Sequence, residues 1–284
     1  MSEPQEFHYR LSQRMGGHRP GSHAGRGFGA GLEFATHMSL FDRPDPRRLD
    51  VRTSLRSIRD EWLVRVNRQR AGILVHALVD VSASMSFGRP KSKLNVAADF
   101  VEALGMSAFR VGDAIGMHAF DSTERSDLYA PARLSRGAGS EMAMRLRECV
   151  GRPGSIDGLE EAVAPLAARE GLVFLVSDFH WPLKRLSSVL DVLIHADVIP
   201  IVIWDPSETT PPTRTAVAPL SDIESGAHRT LWLRKSVQDQ WRSAVAARRA
   251  ELQAFFAERF TRPFFVEGQF DSQALSRYFF EVGE

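Results

Sequence analysis

Chemistry in this chain of 284 residues centres on Asp80, Ser82 and Ser84, a D-x-S-x-S run within ILVHALVDVSASMSFG. One carboxylate and two hydroxyls on a single turn are hard oxygen donors, suited to magnesium, manganese or calcium rather than to zinc. Three such oxygens make a poor site alone. A second run, LVFLVSDF, carries Asp178 to the same sheet edge if the two strands are neighbours. Between them, GRPGSIDGLEEAV is a glycine-bracketed loop opening a helix and offering Ser155 and Asp157. Taken singly, Asp80 and Ser82 also suit a turn and a helix N-cap, where short polar side chains satisfy free backbone N–H groups.

The elements that must position these residues follow from periodicity. Ile73–Val79 is a short apolar run ending at Asp80, and Leu94, Ala97, Ala98, Val101, Leu104 and Ala108 then recur at helical spacing. Ala114–Phe120, Leu172–Val176, Val198–Trp204 and Arg262–Val266 read as further strands. Glu141–Val150, Gly158–Arg169, Leu183–His195, Ser236–Phe260 and Ser272–Phe280 read as helices. Strands apolar along their whole length, alternating with helices, predict a doubly wound, Rossmann-like α/β domain over 71–284 with a parallel sheet covered on both faces. Ligands in such sheets sit at the carboxyl ends of the strands, where Asp80 and Asp178 fall.

Ahead of that domain the pattern is irregular. Residues 1–31 hold Gly16-Gly17, Pro20-Gly21 and glycines at 25, 27, 29 and 31, and read as a flexible Gly/Arg-rich arm. GRGFGAG is no phosphate loop, since no strand precedes it and no Lys follows in place. Residues 32–70 form a second N-terminal segment, in which Leu32–Asp50 reads as irregular and Val51–Arg70 mixes strand and helix signals.

Composition excludes several classes. A single cysteine, Cys149, rules out an intrachain disulfide framework and a multi-cysteine cluster. No apolar stretch reaches the roughly 18 residues that would cross a bilayer, and no apolar segment follows a basic start, so a cytoplasmic chain with no membrane contact is expected. Residues 1–70 carry 13 Arg and no Lys against 8 acidic residues, yet no basic run reaches the block length of a nucleic-acid tail. With four lysines in the whole chain, Arg is simply its default cation. No G-x-S-x-G elbow, P-loop or H-E-x-x-H occurs, so no enzyme is expected. His118 and His180 are read as packing or surface residues, and Cys149 as a small buried side chain.

DVSAS, the loop and LVSDF together resemble the metal-ion-dependent adhesion site of the von Willebrand factor A (vWA) fold. The stretch LEFATHMSLFDRPDPRRLDVRTSLR ahead of the first strand is similar to the DUF58 family. That resemblance implies a divalent cation, magnesium first and manganese or calcium as substitutes, bound directly by Ser82 and Ser84, with Asp80 and Asp178 acting through water. Ser155 or Asp157 stands where the family commonly has a ligand Thr. Arg48 and Asp50 would be structural ion-pair residues. The resemblance further implies an adaptor in which a client's acidic side chain completes the ion's shell, with a MoxR-type AAA+ ATPase as partner. It extends to the MxaS-type members tied to methanol dehydrogenase maturation.

Two other classes compete. A magnesium-dependent phosphate-ester hydrolase would use Asp80 and Asp178, but an aspartate nucleophile would want a second Asp where Ser82 stands. A nucleic-acid binder would use the Arg-rich face of residues 1–70, where aromatic and basic residues do not interleave.

Overall fold

A computed structural model describes residues 6–10, 19–29, 33–153, 156–212, 217–221 and 228–282. The chain divides into two compact units, one of residues 11–73 and one of residues 1–10 with 74–284.

The smaller unit is an antiparallel sheet in the order β1-β3-β2, from β1 (Arg19–Gly29), β2 (Glu33–Ser39) and β3 (Leu63–Gly72), with the single-turn helix α1 (Val51–Ser54) ahead of β3. The expected arm is therefore corrected over Arg19–Gly29, since β1 pairs with β3 through a register broken by two irregularities. Glycine-rich composition hides a strand when its pairing partners lie far along the chain, as Gly72 does from Arg19. Bulged strands tolerate glycine. The irregular reading of 32–50 is corrected over Glu33–Ser39, which form β2, while residues 40–50 run through turns and a 3-10 turn as expected. Asp50 caps α1 by accepting from Thr53 N–H at 3.0 Å and lies 3.0 Å from His37 Nε2, while Arg48 pairs with Asp45 at 3.3 Å. Asp50 thus acts as a cap and a hydrogen-bond partner of His37, and Arg48 as an ion-pair residue.

In the larger unit, β4 (Leu74–Asp80), α2 (Lys93–Val111), β5 (Ala114–Phe120), β6 (Ala130–Arg133) and α3 (Ala138–Glu148) come first. They are followed by α4 (Gly158–Val163), β7 (Gly171–Ser177), α5 (Lys184–Val192), β8 (Ala196–Trp204) and α6 (Pro206–Thr209). The hairpin β9 (Val217–Ser221) and β10 (His228–Trp232), then α7 (Lys235–Ala257), β11 (Phe264–Glu267) and α8 (Ser272–Val282), complete it.

Six strands form one sheet in the order β11-β8-β7-β4-β5-β6, parallel except for β6, which runs antiparallel at the edge. Counting only these six strands along the chain, the order is 3-2-1-4-5-6, the doubly wound arrangement, with its switch point between β4 and β7. This is the expected doubly wound α/β fold. β5 and β7 are buried at every position, as strands covered on both faces must be. One face packs Leu159, Val163, Leu186, Val189, Leu252 and Phe256 of α4, α5 and α7 against Leu78, Val173 and Val202.

The other face holds α2, α8 and the segment around Phe7 and Tyr9. Phe7 stacks on Phe100 at 6.0 Å between centroids and meets Phe174 edge-on at 6.2 Å. Tyr9 donates to Asp113 Oδ2 at 2.5 Å, and burial first, then the neighbouring carboxylate, raises its phenol pKa. Phe7 and Tyr9 thus belong to the core of this unit rather than to an arm. Cys149 follows α3 and is half-buried.

Candidate functional site

Adjacent strands bring the two aspartates together. β4 pairs with β7 through Val79 and Val176, so Asp80 and Asp178 emerge side by side at the carboxyl ends of the strands, on either side of the switch point. Both are fully buried. After β4 the chain turns through Ser82 into a single 3-10 turn, Ala83–Ser86, and the Ser82 and Ser84 hydroxyls lie 3.2 Å apart.

Asp80 is held by three donors. Its Oδ1 accepts from Ser82 N–H at 2.9 Å, and its Oδ2 accepts from Ser177 Oγ at 2.6 Å and from Trp181 Nε1 at 3.3 Å. Even so, burial and then the negative charge of Asp178 push its carboxyl up to about 6. Asp178 goes the other way. Burial alone would raise it, but the Lys93 ammonium, with hydrogen bonding from Ser84, holds it below the usual carboxylate range.

Lys93 is the residue that sequence reasoning missed. It is the first residue of α2 and only 2% exposed, and its Nζ lies 2.6 Å from Asp178 Oδ2 and 2.7 Å from Glu208 Oε1. Burial works against its charge, yet the two carboxylates outweigh burial and raise its pKa. A signal was present. Lys93 precedes Val96, Ala97, Phe100 and Val101 by three, four, seven and eight positions, which puts a charge on the buried stripe of α2. Glu208 in turn belongs to the capping box of α6, accepting from Asp205 N–H at 3.0 Å.

The loop after β7 is fixed from outside the sheet. Phe179 has a left-handed φ of 52° and is fully buried, a conformation that costs free energy in a bulky residue. Its N–H donates to Ser177 Oγ at 3.0 Å, and its carbonyl accepts from Arg248 Nε of α7 at 3.1 Å. The middle loop lies against the serine turn: Ala83 N–H donates to the Arg152 carbonyl at 3.0 Å. A Cβ at Gly151 would stand 2.5 Å from the Ser82 carbonyl oxygen, so only glycine permits this approach. Ser155 lies outside the described residues. Asp157 has an exposed side chain, ion-paired with Arg185.

The chain matches the family model described as "Protein of unknown function DUF58" over residues 44–251, nearly three-quarters of its length. It belongs to the DUF58 family. Uncharacterised proteins of Mycobacterium tuberculosis and Mycobacterium bovis are each 26% identical to this DUF58 chain over 249 residues, covering 85% of it and 76% of the relative. Among solved structures, BatB of Bacteroides thetaiotaomicron is 14% identical with a TM-score of 0.45, covering 74% of this chain and 98% of that one. An aerotolerance-related membrane protein of Bacteroides fragilis gives 14% and 0.42 over 74% and 98%. The VWA domain of SpRpn10 gives 10% and 0.38 over 73% and 95%. No helix among the described residues of the DUF58 chain is long and apolar enough to cross a membrane.

The donor chemistry of this DUF58 site fits a hard divalent cation. Octahedral ligands at 2.0–2.1 Å stand about 3 Å apart along an edge, close to the 3.2 Å between the two hydroxyls. Charge agrees: Asp178 and Glu208 share the one Lys93 ammonium and Asp80 lies beside Asp178, leaving a formal excess of two negative charges. Among the described residues no three His, Cys, Asp or Glu side chains form a metal-holding group, so Ser82 and Ser84 would need water or a visiting oxygen to complete a shell.

Proposed function

We propose that this DUF58 chain is a non-enzymatic docking protein, in which a divalent cation, magnesium by preference, links the serine turn to an acidic side chain of another protein. The observation that carries the reading is the pair of hydroxyls 3.2 Å apart, flanked by two fully buried carboxylates at the switch point of the sheet. Ser82 and Ser84 would hold the ion, Asp80 and Asp178 would orient its water, and the ion would supply the positive charge that a visiting carboxylate needs.

Asp80 is poorly placed for the competing hydrolase. A nucleophilic carboxylate needs an oxygen free to attack, whereas Oδ1 here accepts a backbone N–H and Oδ2 accepts two side-chain donors. A cavity of about 270 Å³ borders the same edge, lined by His180, Trp204, Glu208, Trp241, Val245 and Arg248. It offers an apolar seat for a partner residue beside the acidic one, and it shares Glu208 with the Lys93 bridge.

The partner that the family resemblance suggests is a MoxR-type AAA+ ATPase acting on a client during assembly or metal insertion. Methanol dehydrogenase is the narrowest form of that reading. Co-purification of the chain with such an ATPase in magnesium, lost in EDTA and lost in Ser82→Ala, is the expected result. A complex that survives EDTA untouched would refute the cation as the link. Turnover of a phosphate ester that disappears in Asp80→Ala would replace docking with hydrolysis.

A further inference from the structure

Lys93 is a cation built into the place where a cation is wanted. Its ammonium sits on Asp178 Oδ2 at 2.6 Å, the same carboxyl group that Ser84 reaches by hydrogen bonding. Ser82, Ser84, Asp178, Lys93 and Glu208 therefore form one continuous chain of contacts. An ammonium at the first residue of a helix faces the positive end of the helix dipole, and its burial adds a desolvation cost. Both penalties are met only by holding Asp178 and Glu208 together. A neutral side chain would pack there without either penalty.

We infer that Lys93 is a resident counter-ion that competes with the divalent cation for Asp178, so that ion entry at the serine turn is opposed until the ammonium yields. The inference rests on the cation site of the proposed function and adds its regulation. Two positive charges drawn to one buried carboxylate repel each other, and in a poorly hydrated site water screens that repulsion weakly. Releasing Lys93 also frees Glu208, whose other oxygen caps α6, so ion entry is coupled to the start of that helix and to the cavity Glu208 lines.

The test is manganese binding by the 284-residue chain, followed by the electron paramagnetic resonance of free Mn2+ with Mg2+ as competitor. The double variant Lys93→Met with Glu208→Gln keeps the formal charge of the site while removing the ammonium, and leaves no unpaired Glu208. It is expected to bind Mn2+ at least tenfold more tightly than the parent, whereas Lys93→Arg stays within about threefold of the parent. A double variant that binds no more tightly, or an Arg variant that gains equally, overturns the inference while leaving the cation site standing. No Mn2+ binding by parent or variant overturns both. The unaltered chain gives a reading that depends on no variant folding. With four lysines in the sequence, the exchange-protected ammonium of Lys93 is resolvable in a 1H–15N spectrum. Saturating Mg2+ should move or erase that signal, and a signal unmoved by bound Mg2+ refutes the competition.

Discussion

Ser177 Oγ donates to Asp80 Oδ2 across the β4–β7 pair at 2.6 Å, and the same hydroxyl accepts from Trp181 Nε1 at 3.1 Å. One serine therefore links Asp80 to the indole of Trp181. Ser177→Ala takes a donor from a fully buried carboxylate, which costs about 1.5–3 kcal/mol for a hydrogen bond to a charged group. The urea midpoint should fall accordingly. Magnesium should recover part of the loss, because the ion's positive charge stabilises the carboxylate that has lost a hydrogen-bond donor.

Cation binding should appear as thermal stabilisation by mass action. At a free concentration a hundredfold above the dissociation constant the gain is about 2.7 kcal/mol. For a chain of this size that corresponds to a rise of several degrees in melting temperature. Ser82→Ala and Ser84→Ala should melt near the parent in EDTA yet gain nothing from magnesium. Identical curves for parent and variants in magnesium would remove the hydroxyls from the site.

Acid should weaken the fold through two buried histidines. His76 and His118 lie on β4 and β5 with rings 5.5 Å apart, and neither nitrogen of His76 nor Nδ1 of His118 has a hydrogen-bond partner. Burial, then nearby positive charge, lowers each to about 4. Unfolded histidine takes its proton near 6.5, so between about 6.5 and 4 the unfolded chain binds more protons. Stability is therefore full above that window and declines as pH falls through it, by on the order of 3 kcal/mol for each ring. Asp80, pushed up to about 6, contributes with the opposite sign. A pH series of urea midpoints should fall toward pH 4.5 in the parent and flatten in His76→Leu with His118→Leu.

Gly105 and Gly139 mark a close crossing of α2 and α3. A Cβ on Gly105 would stand 2.3 Å from Gly139 Cα, whereas one on Gly137 would meet nothing within 4 Å. Gly105→Ala forces two backbones apart and should cost about 1–3 kcal/mol or more. Gly137→Ala should stay within about 0.5 kcal/mol of the parent. Equal melting of the two variants would contradict the crossing.

Much of this molecule is legible in one dimension. Ala114–Phe120 matches β5, and Leu172–Val176 lies within β7, because a strand buried on both faces is apolar at every position whatever its neighbours. Ser82 and Ser84 are fixed near each other by two residues of spacing. The antiparallel edge strand β6 and the paired strands β1 and β3 escaped that reading, since β1 is glycine-rich and pairing partners elsewhere in the chain define all three.

The sequence by itself determined the alternation of strands and helices, the oxygen donors at two strand ends and a lysine out of place on an apolar stripe. Tertiary structure alone decided what those groups do to one another. The pairing of β4 with β7 puts Asp80 beside Asp178, and contacts across 85 and 115 residues bring Lys93 to Asp178 and Glu208. Local propensity acts over a few residues, whereas the charge balance of a buried cluster depends on which strand ends the fold brings together.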